Sequence, residues 1–121
     1  MKSRRLIASG SVYEPQVGYS RAVRIGELIF VSGTVGEGAD AYEQTKAAIA
    51  KIEMALHEAG ATLDDVVRTR LFVTDIADWG LVGRAHAEAF SDVRPACTMV
   101  EVTRLIAPEY LVEVEADAYV G

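Results

Sequence analysis

The sequence predicts an α+β fold, a single mixed β-sheet with two α-helices on one of its faces. Three observations carry this. Over 112–119, Val112, Val114, Ala116 and Ala118 alternate with Glu113, Glu115, Asp117 and Tyr119, the period-two pattern of a strand with one apolar and one polar face. Tyr42, Thr45, Ile49, Ile52 and Leu56 recur at helical spacing and draw one stripe along a helix of about five turns. The order strand, strand, strand, helix, strand, helix, strand, strand fits within 121 residues, which leaves room for a single domain over 1–121.

RRLIA, at 4–8, reads as a short strand, and SGSVYEPQVG, with two glycines and a proline, as a covering loop. In YSRAVRIGELIFVSG two strands meet in a hairpin at Gly26-Glu27, and Ser32-Gly33 closes the second. Asp40 is placed to cap the long helix, with Glu43 as its capping-box partner and Gly60 ending it before the turn ATLDD. VVRTRLFVTD is a strand with Val67, Thr69, Leu71 and Val73 on one face and Arg68, Arg70 and Phe72 on the other. The second helix enters at Asp75 or Asp78 and turns Trp79, Val82, His86, Ala89 and Phe90 inward. It stops at SDVRP, where proline cannot continue a helix. RPACTMVE and the alternating stretch are the last two strands.

The sheet face away from the helices then carries Arg68, Arg70, Glu113, Glu115 and Asp117. Cross-strand ion pairs, each contributing about 0.2–1 kcal/mol, account for most of these charges. Phe72 and Tyr119 among them favour an oligomer whose subunits meet through this face, because large aromatics are enriched at interfaces.

Half the residues are hydrophobic and a quarter charged, an ordinary globular mixture. A net charge of -6, without a clustered basic patch, speaks against a nucleic-acid surface. No stretch approaches the roughly 20 apolar residues of a membrane span, and the N-terminus lacks a signal-peptide core, so a soluble cytoplasmic protein is expected. Cys97 is the only cysteine, and His57 and His86 lie far apart, so neither a disulfide nor a metal site is expected. His86 reads first as a packing residue, Trp79 as core and Cys97 as a small buried residue; a Cys97 nucleophile served by His86 would need the two to be adjacent in space. No phosphate loop, nucleophile elbow or HExxH motif is present.

The blocks YSRAVRIGELIFVSG, LDDVVRTRLFVTDIADW and RPACTMVEVTRLIAPEYLVEVEADA closely resemble, in this order, the reactive intermediate deaminase family. This family is also called RidA or YjgF, and its older name is endoribonuclease L-PSP; the likeness runs over about 17–120. The resemblance implies a chorismate-mutase-like fold and a homotrimer, with sheets lining a central barrel and small-molecule clefts between neighbouring subunits. It further implies cofactor-free hydrolysis of enamines and imines, such as 2-aminoacrylate, to a keto acid and ammonia.

By the same resemblance Tyr19, Ser32 and Gly33 line the cleft, Glu113 positions the attacking water, Met99 offers a backbone carbonyl, and Thr98 and Cys97 shape the pocket. The family pattern sets an arginine directly after Pro-Ala to grip the substrate carboxylate, whereas here Pro95-Ala96 precede Cys97. Charge-assisted bonds worth about 1.5–3 kcal/mol each are lost with it. The chain therefore resembles an arginine-lacking subgroup, with Arg94 and Arg21 as candidate anchors. Gly83 stands where active members often carry an asparagine, and the 106–111 loop is one residue longer than usual. An imine hydrolase is the first expectation and a non-catalytic metabolite-binding module of the same fold the alternative. RNA cleavage, the sense of the older name, fits the acidic composition worst.

Overall fold

The computed structural model describes residues 3–121, and among them the chain forms six strands and three α-helices. The strands are β1 (Arg4–Ile7), β2 (Ala22–Ile25), β3 (Leu28–Thr34), β4 (Val66–Val73), β5 (Ala96–Glu101) and β6 (Val112–Tyr119). The helices are α1 (Tyr13–Val17), α2 (Ala41–Glu58) and α3 (Trp79–Phe90). One sheet runs in the order β1-β2-β3-β6-β4-β5. All neighbours are antiparallel except β4 and β5, where α3 provides the crossover that a parallel pair requires.

The alternation read from the last strand explains its central place. Val112, Val114, Ala116 and Ala118 are at most 1% exposed beneath the helices, while Glu113, Glu115 and Asp117 lie half-buried on the open face. Helix α2 lays Ala48, Ile49, Ile52, Ala55 and Leu56 over β3 and β6, and α3 packs beside it with Val82, Ala85 and Phe90 buried. Asp40 caps α2 by accepting the Glu43 main-chain N–H at 2.9 Å. The return arm of the predicted capping box lands one residue early, on the N–H of Ala39 at 2.9 Å. At the other end Gly60, at φ 90°, turns the chain so that its own N–H reaches His57 and the N–H of Ala61 reaches Leu56, at 3.1 and 2.8 Å.

Several expectations are corrected. The stretch read as a covering loop contains α1, a third helix beyond the two expected; five residues are too few to show a period, and Pro15 fits the first turn, where its missing N–H has no partner to lose. Val67 is 50% exposed rather than inward, because the β4–β6 ladder shifts between Val66 and Arg68 and leaves Val67 as the extra residue of a bulge. Trp79 is 65% exposed and not core: it opens α3 one turn ahead of the buried part of the helix, behind a short 3-10 turn that Asp75 caps. Among the described residues no helix is long and apolar enough to cross a membrane.

Gln44 lies off the stripe read from the sequence, yet it is 4% exposed and ties the 102–111 segment to α2. Its amide donates to Gly38 and Glu109 carbonyls at 3.2 and 3.0 Å and accepts the Leu111 N–H at 2.8 Å. Gln44→Leu keeps the volume but neither donates nor accepts. We expect it to lower the unfolding free energy by about 1–3 kcal/mol in urea denaturation, the usual effect of orphaning buried main-chain groups; an unchanged midpoint would show that this clamp carries no stability.

Candidate functional site

An open cavity of about 1310 Å³ lies where β3 ends and β6 begins, and Tyr19, Arg21, Ser32, Gly33, Arg104 and Glu113 are among its lining residues. The β3–β6 ladder shifts between Val31 and Thr34, so the backbone of Ser32 and Gly33 leaves regular pairing there. That irregularity opens the sheet to the cavity.

Arg21 is the post of the site. Its side chain is 11% exposed, and its Nη1 donates to the Gly33 carbonyl at 2.8 Å and to Thr34 Oγ1 at 2.7 Å. Nη2 donates to Tyr19 Oη at 3.1 Å, and the guanidinium carbon lies 5.5 Å from the centre of the Tyr19 ring. Nε stands 3.9 Å from the carboxylate of Glu14, which also accepts the hydroxyl and main-chain N–H of Ser9. The Ser32 hydroxyl is spent on the carbonyl of Ser20 at 2.7 Å. Arg21 thus holds the Tyr19 hydroxyl against the end of β3, and it has few donors left for a ligand.

Gly33 and Glu113 fit each other. A Cβ on residue 33 would sit 2.9 Å from Cδ of Glu113 and 3.3 Å from its Cγ, within its carboxylate, so only glycine lets that carboxylate lie across the strand. Burial pushes the half-buried Glu113 carboxyl above the ordinary glutamate range; Arg21 draws it back down, and the neighbouring Glu115 raises it. No hydrogen bond or ion pair occupies the Glu113 carboxylate among the described residues. Its neighbours on β6 are paired as the cross-strand pattern anticipates, since they share Arg70, which meets Glu115 at 3.1 Å and Asp117 at 3.5 Å.

The β5 residues lie elsewhere. β5 is the edge strand, three strands from β3, or roughly 14 Å at the usual spacing between strands. Glu113, on β6, is two strands from β5, or roughly 10 Å, so Cys97, Thr98 and Met99 stand apart from Tyr19 and Glu113 within one chain. Cys97 is exposed, which corrects its reading as a buried residue: nothing among the described residues pairs with the outer side of β5. In register it stands beside Thr69, whose hydroxyl meets His86 Nε2 at 2.8 Å. Burial pushes the His86 imidazole below its ordinary range, and its ring lies 4.7 Å from that of Phe90, so His86 is engaged in packing. Arg94, at φ 52° in the turn before β5, donates Nε to the Ser91 carbonyl at 3.1 Å and is not among the cavity's lining residues. Among the described residues no cluster of His, Cys, Asp or Glu could hold a metal ion.

Sequence reasoning missed Glu14, Lys51, Arg104 and Tyr110 in or beside the cavity. None of the four carries a signal in the sequence, because Glu14 lies in a helix too short to show a period, Lys51 reads as the solvated side of α2, and Arg104 and Tyr110 sit in an irregular segment.

The description of the endoribonuclease L-PSP family matches residues 10–120. The protein SCO2049 of Streptomyces coelicolor is 41% identical over 97% of this chain and 92% of its own length. A protein of Acinetobacter baylyi named 3-aminoacrylate deaminase RutC is 32% identical over 88% of this chain and 90% of its own. The crystal structure of Rv2704 from Mycobacterium tuberculosis, described as a member of the YjgF/YER057c/UK114 family, superposes with a TM-score of 0.96 at 61% identity, covering 98% of this chain and all of that one.

The fit of Gly33 to Glu113 is testable by a pair of substitutions. Gly33→Ala forces the carboxylate aside and is expected to lower stability by about 1–3 kcal/mol, the usual effect of overpacking. Adding Glu113→Ala removes the obstructing group and should recover most of the loss. Equal stability of the single and double variants in chemical denaturation would refute the steric account.

Proposed function

The chain belongs to the endoribonuclease L-PSP family, and from that membership we propose that it hydrolyses small reactive imines and their enamine tautomers to carbonyl compounds and ammonia. The observation that carries the reading is Glu113, a carboxylate without a partner among the described residues, half-buried in a cavity and raised by burial above the ordinary glutamate range, the direction that makes a glutamate a better base.

In this mechanism water adds to the C=N carbon while the Glu113 carboxylate takes one of its protons. The C=N electron pair moves to nitrogen, which is protonated. The resulting carbinolamine collapses as the carbonyl forms: its hydroxyl proton passes by way of the Glu113 carboxyl to the amine nitrogen, the C–N bond breaks and ammonia leaves. Tyr19 accepts a hydrogen bond from Arg21, so its own O–H is left to donate to the substrate, and the buried guanidinium makes that donor stronger.

We propose further that the protein is a homotrimer in which β5 of one subunit, bearing Cys97, Thr98 and Met99, completes the cavity of its neighbour. Support comes from the open sheet face, where Leu28, Phe30 and Tyr119 are 44%, 45% and 48% exposed, and from the separation of the two groups of site residues within one chain. Cys97 then stands in the pocket without a positive charge. That feature favours the second reading, a metabolite-binding module, and the same assay decides between them.

Imines generated enzymatically in situ should be hydrolysed by the wild type, and Glu113→Gln should reduce kcat/KM about a hundredfold with little change in KM. Unchanged turnover in Glu113→Gln would remove this residue from the chemistry; a ligand bound and recovered unaltered would leave the binding module. Sedimentation equilibrium at micromolar concentration should return three times the mass of the chain, and a stable monomer would overturn the assembly.

A further inference from the structure

Three cationic side chains line the cavity, and only one is free. Arg21 is committed to Gly33, Thr34, Tyr19 and Glu14. Lys51 donates its ammonium to the Val35 carbonyl at 2.9 Å. Arg104 lines the same cavity, and among the described residues its guanidinium makes neither a hydrogen bond nor an ion pair.

The backbone that carries Arg104 is fixed although the side chain is exposed. It belongs to the 102–111 segment, which leaves edge strand β5 and crosses the end of β4 to enter β6. The near end is pinned by the Val102 N–H on the Val73 carbonyl at 2.8 Å. At the far end Gln44 holds Glu109 and Leu111, and Tyr110 donates its hydroxyl to Glu37 at 3.1 Å. A segment pinned at both ends holds the backbone of Arg104 beside the cavity before any ligand arrives, so binding has only the side chain left to order.

We propose that Arg104 is the anion anchor of this cavity, gripping the carboxylate of a short 2-imino or 2-oxo acid whose second carbon faces Glu113. The identity of the reacting ligand rests on the hydrolase reading above; the anchor itself does not. A planar guanidinium with unused N–H pairs is the side chain suited to bidentate grip of a carboxylate. With a thiol at position 97, no cation of β5 serves this purpose. Three carboxylates line the same space: Glu115 is paired with Arg70, while Glu58 and Glu113 have no ion pair among the described residues, so their charge turns the carboxylate of an anionic ligand away from them and toward Arg104.

Two ligands that differ by one charge test this. Pyruvate and methyl pyruvate are titrated calorimetrically into the wild type, Arg104→Ala and Arg104→Lys. Arg104→Ala should weaken pyruvate about tenfold or more, as expected for lost charge-assisted bonds, while methyl pyruvate stays within about twofold. Arg104→Lys, a point charge without the fork, should fall between. Equal pyruvate affinity in wild type and Arg104→Ala, equal losses for the two ligands, or no pyruvate binding by the wild type would each overturn the proposal. Pyruvate binding that depends on Arg104, in a protein that hydrolyses no imine, would leave the anchor standing and remove the hydrolase.

Discussion

The structure of the site depends on one buried guanidinium. A charge removed from water must find partners for its donors or it destabilises the fold by several kcal/mol. Arg21 finds them in the carbonyl of Gly33, the hydroxyls of Thr34 and Tyr19, and the carboxylate of Glu14. These four groups come from three places in the chain. Helix α1, which has no share in the main core, delivers Glu14; the lead into β2 delivers Tyr19; and the end of β3 delivers the other two. The irregular backbone at 32–34 is thereby held open, because its carbonyl is satisfied by a side chain instead of by the next strand.

Glu113 inherits its chemistry from that arrangement. Strict alternation puts it on the open face of β6, where Glu115 and Asp117 are also found, yet Arg70 lies in register with Glu115 and is shared between the last two. Glu113 is instead beside Phe72, which offers no charge. Its carboxylate turns across Gly33, where the missing Cβ makes room, and there burial outweighs the pull of Arg21. A single glycine and a two-residue step along the β4–β6 ladder thus separate a potential base from two structural carboxylates.

Those parts of the molecule governed by long periodicity were legible in the sequence. The alternation of β6, the stripe of α2 and the hairpin at Gly26-Glu27 each repeat a local rule over enough residues to show, and the placement of Tyr19, Ser32, Gly33 and Glu113 in one cavity followed from recognising the motifs around them. What escaped was short, aperiodic or set by tertiary contact. α1 spans five residues; the bulge at Val67 is a matter of pairing with β6; Trp79 differs from an inward residue only in lying one turn too early. Gln44 looks like a solvated residue on α2 until the 102–111 segment closes over it, and Arg104 has no pattern at all.

The two halves of the candidate site obey different constraints, and this bears on how Cys97 is tolerated. The half formed by β3 and β6 is built into the sheet: Arg21 cannot be altered without stranding Glu14, nor Gly33 without displacing Glu113. The half on β5 is an edge whose outer side pairs with nothing among the described residues, so its side chains at 97 and 98 change without disturbing the core. Position 97 can therefore change side chain at little expense to stability, while the half formed by β3 and β6 persists. Anion recognition is then free to move to another element that reaches the cavity, and the 102–111 segment is such an element: it begins at β5, ends at β6, and carries an unpartnered guanidinium between two pinned ends. Under the proposed function, separating the grip on the carboxylate from the residues that act on the C=N bond lets ligand selection change while the chemistry stays in place.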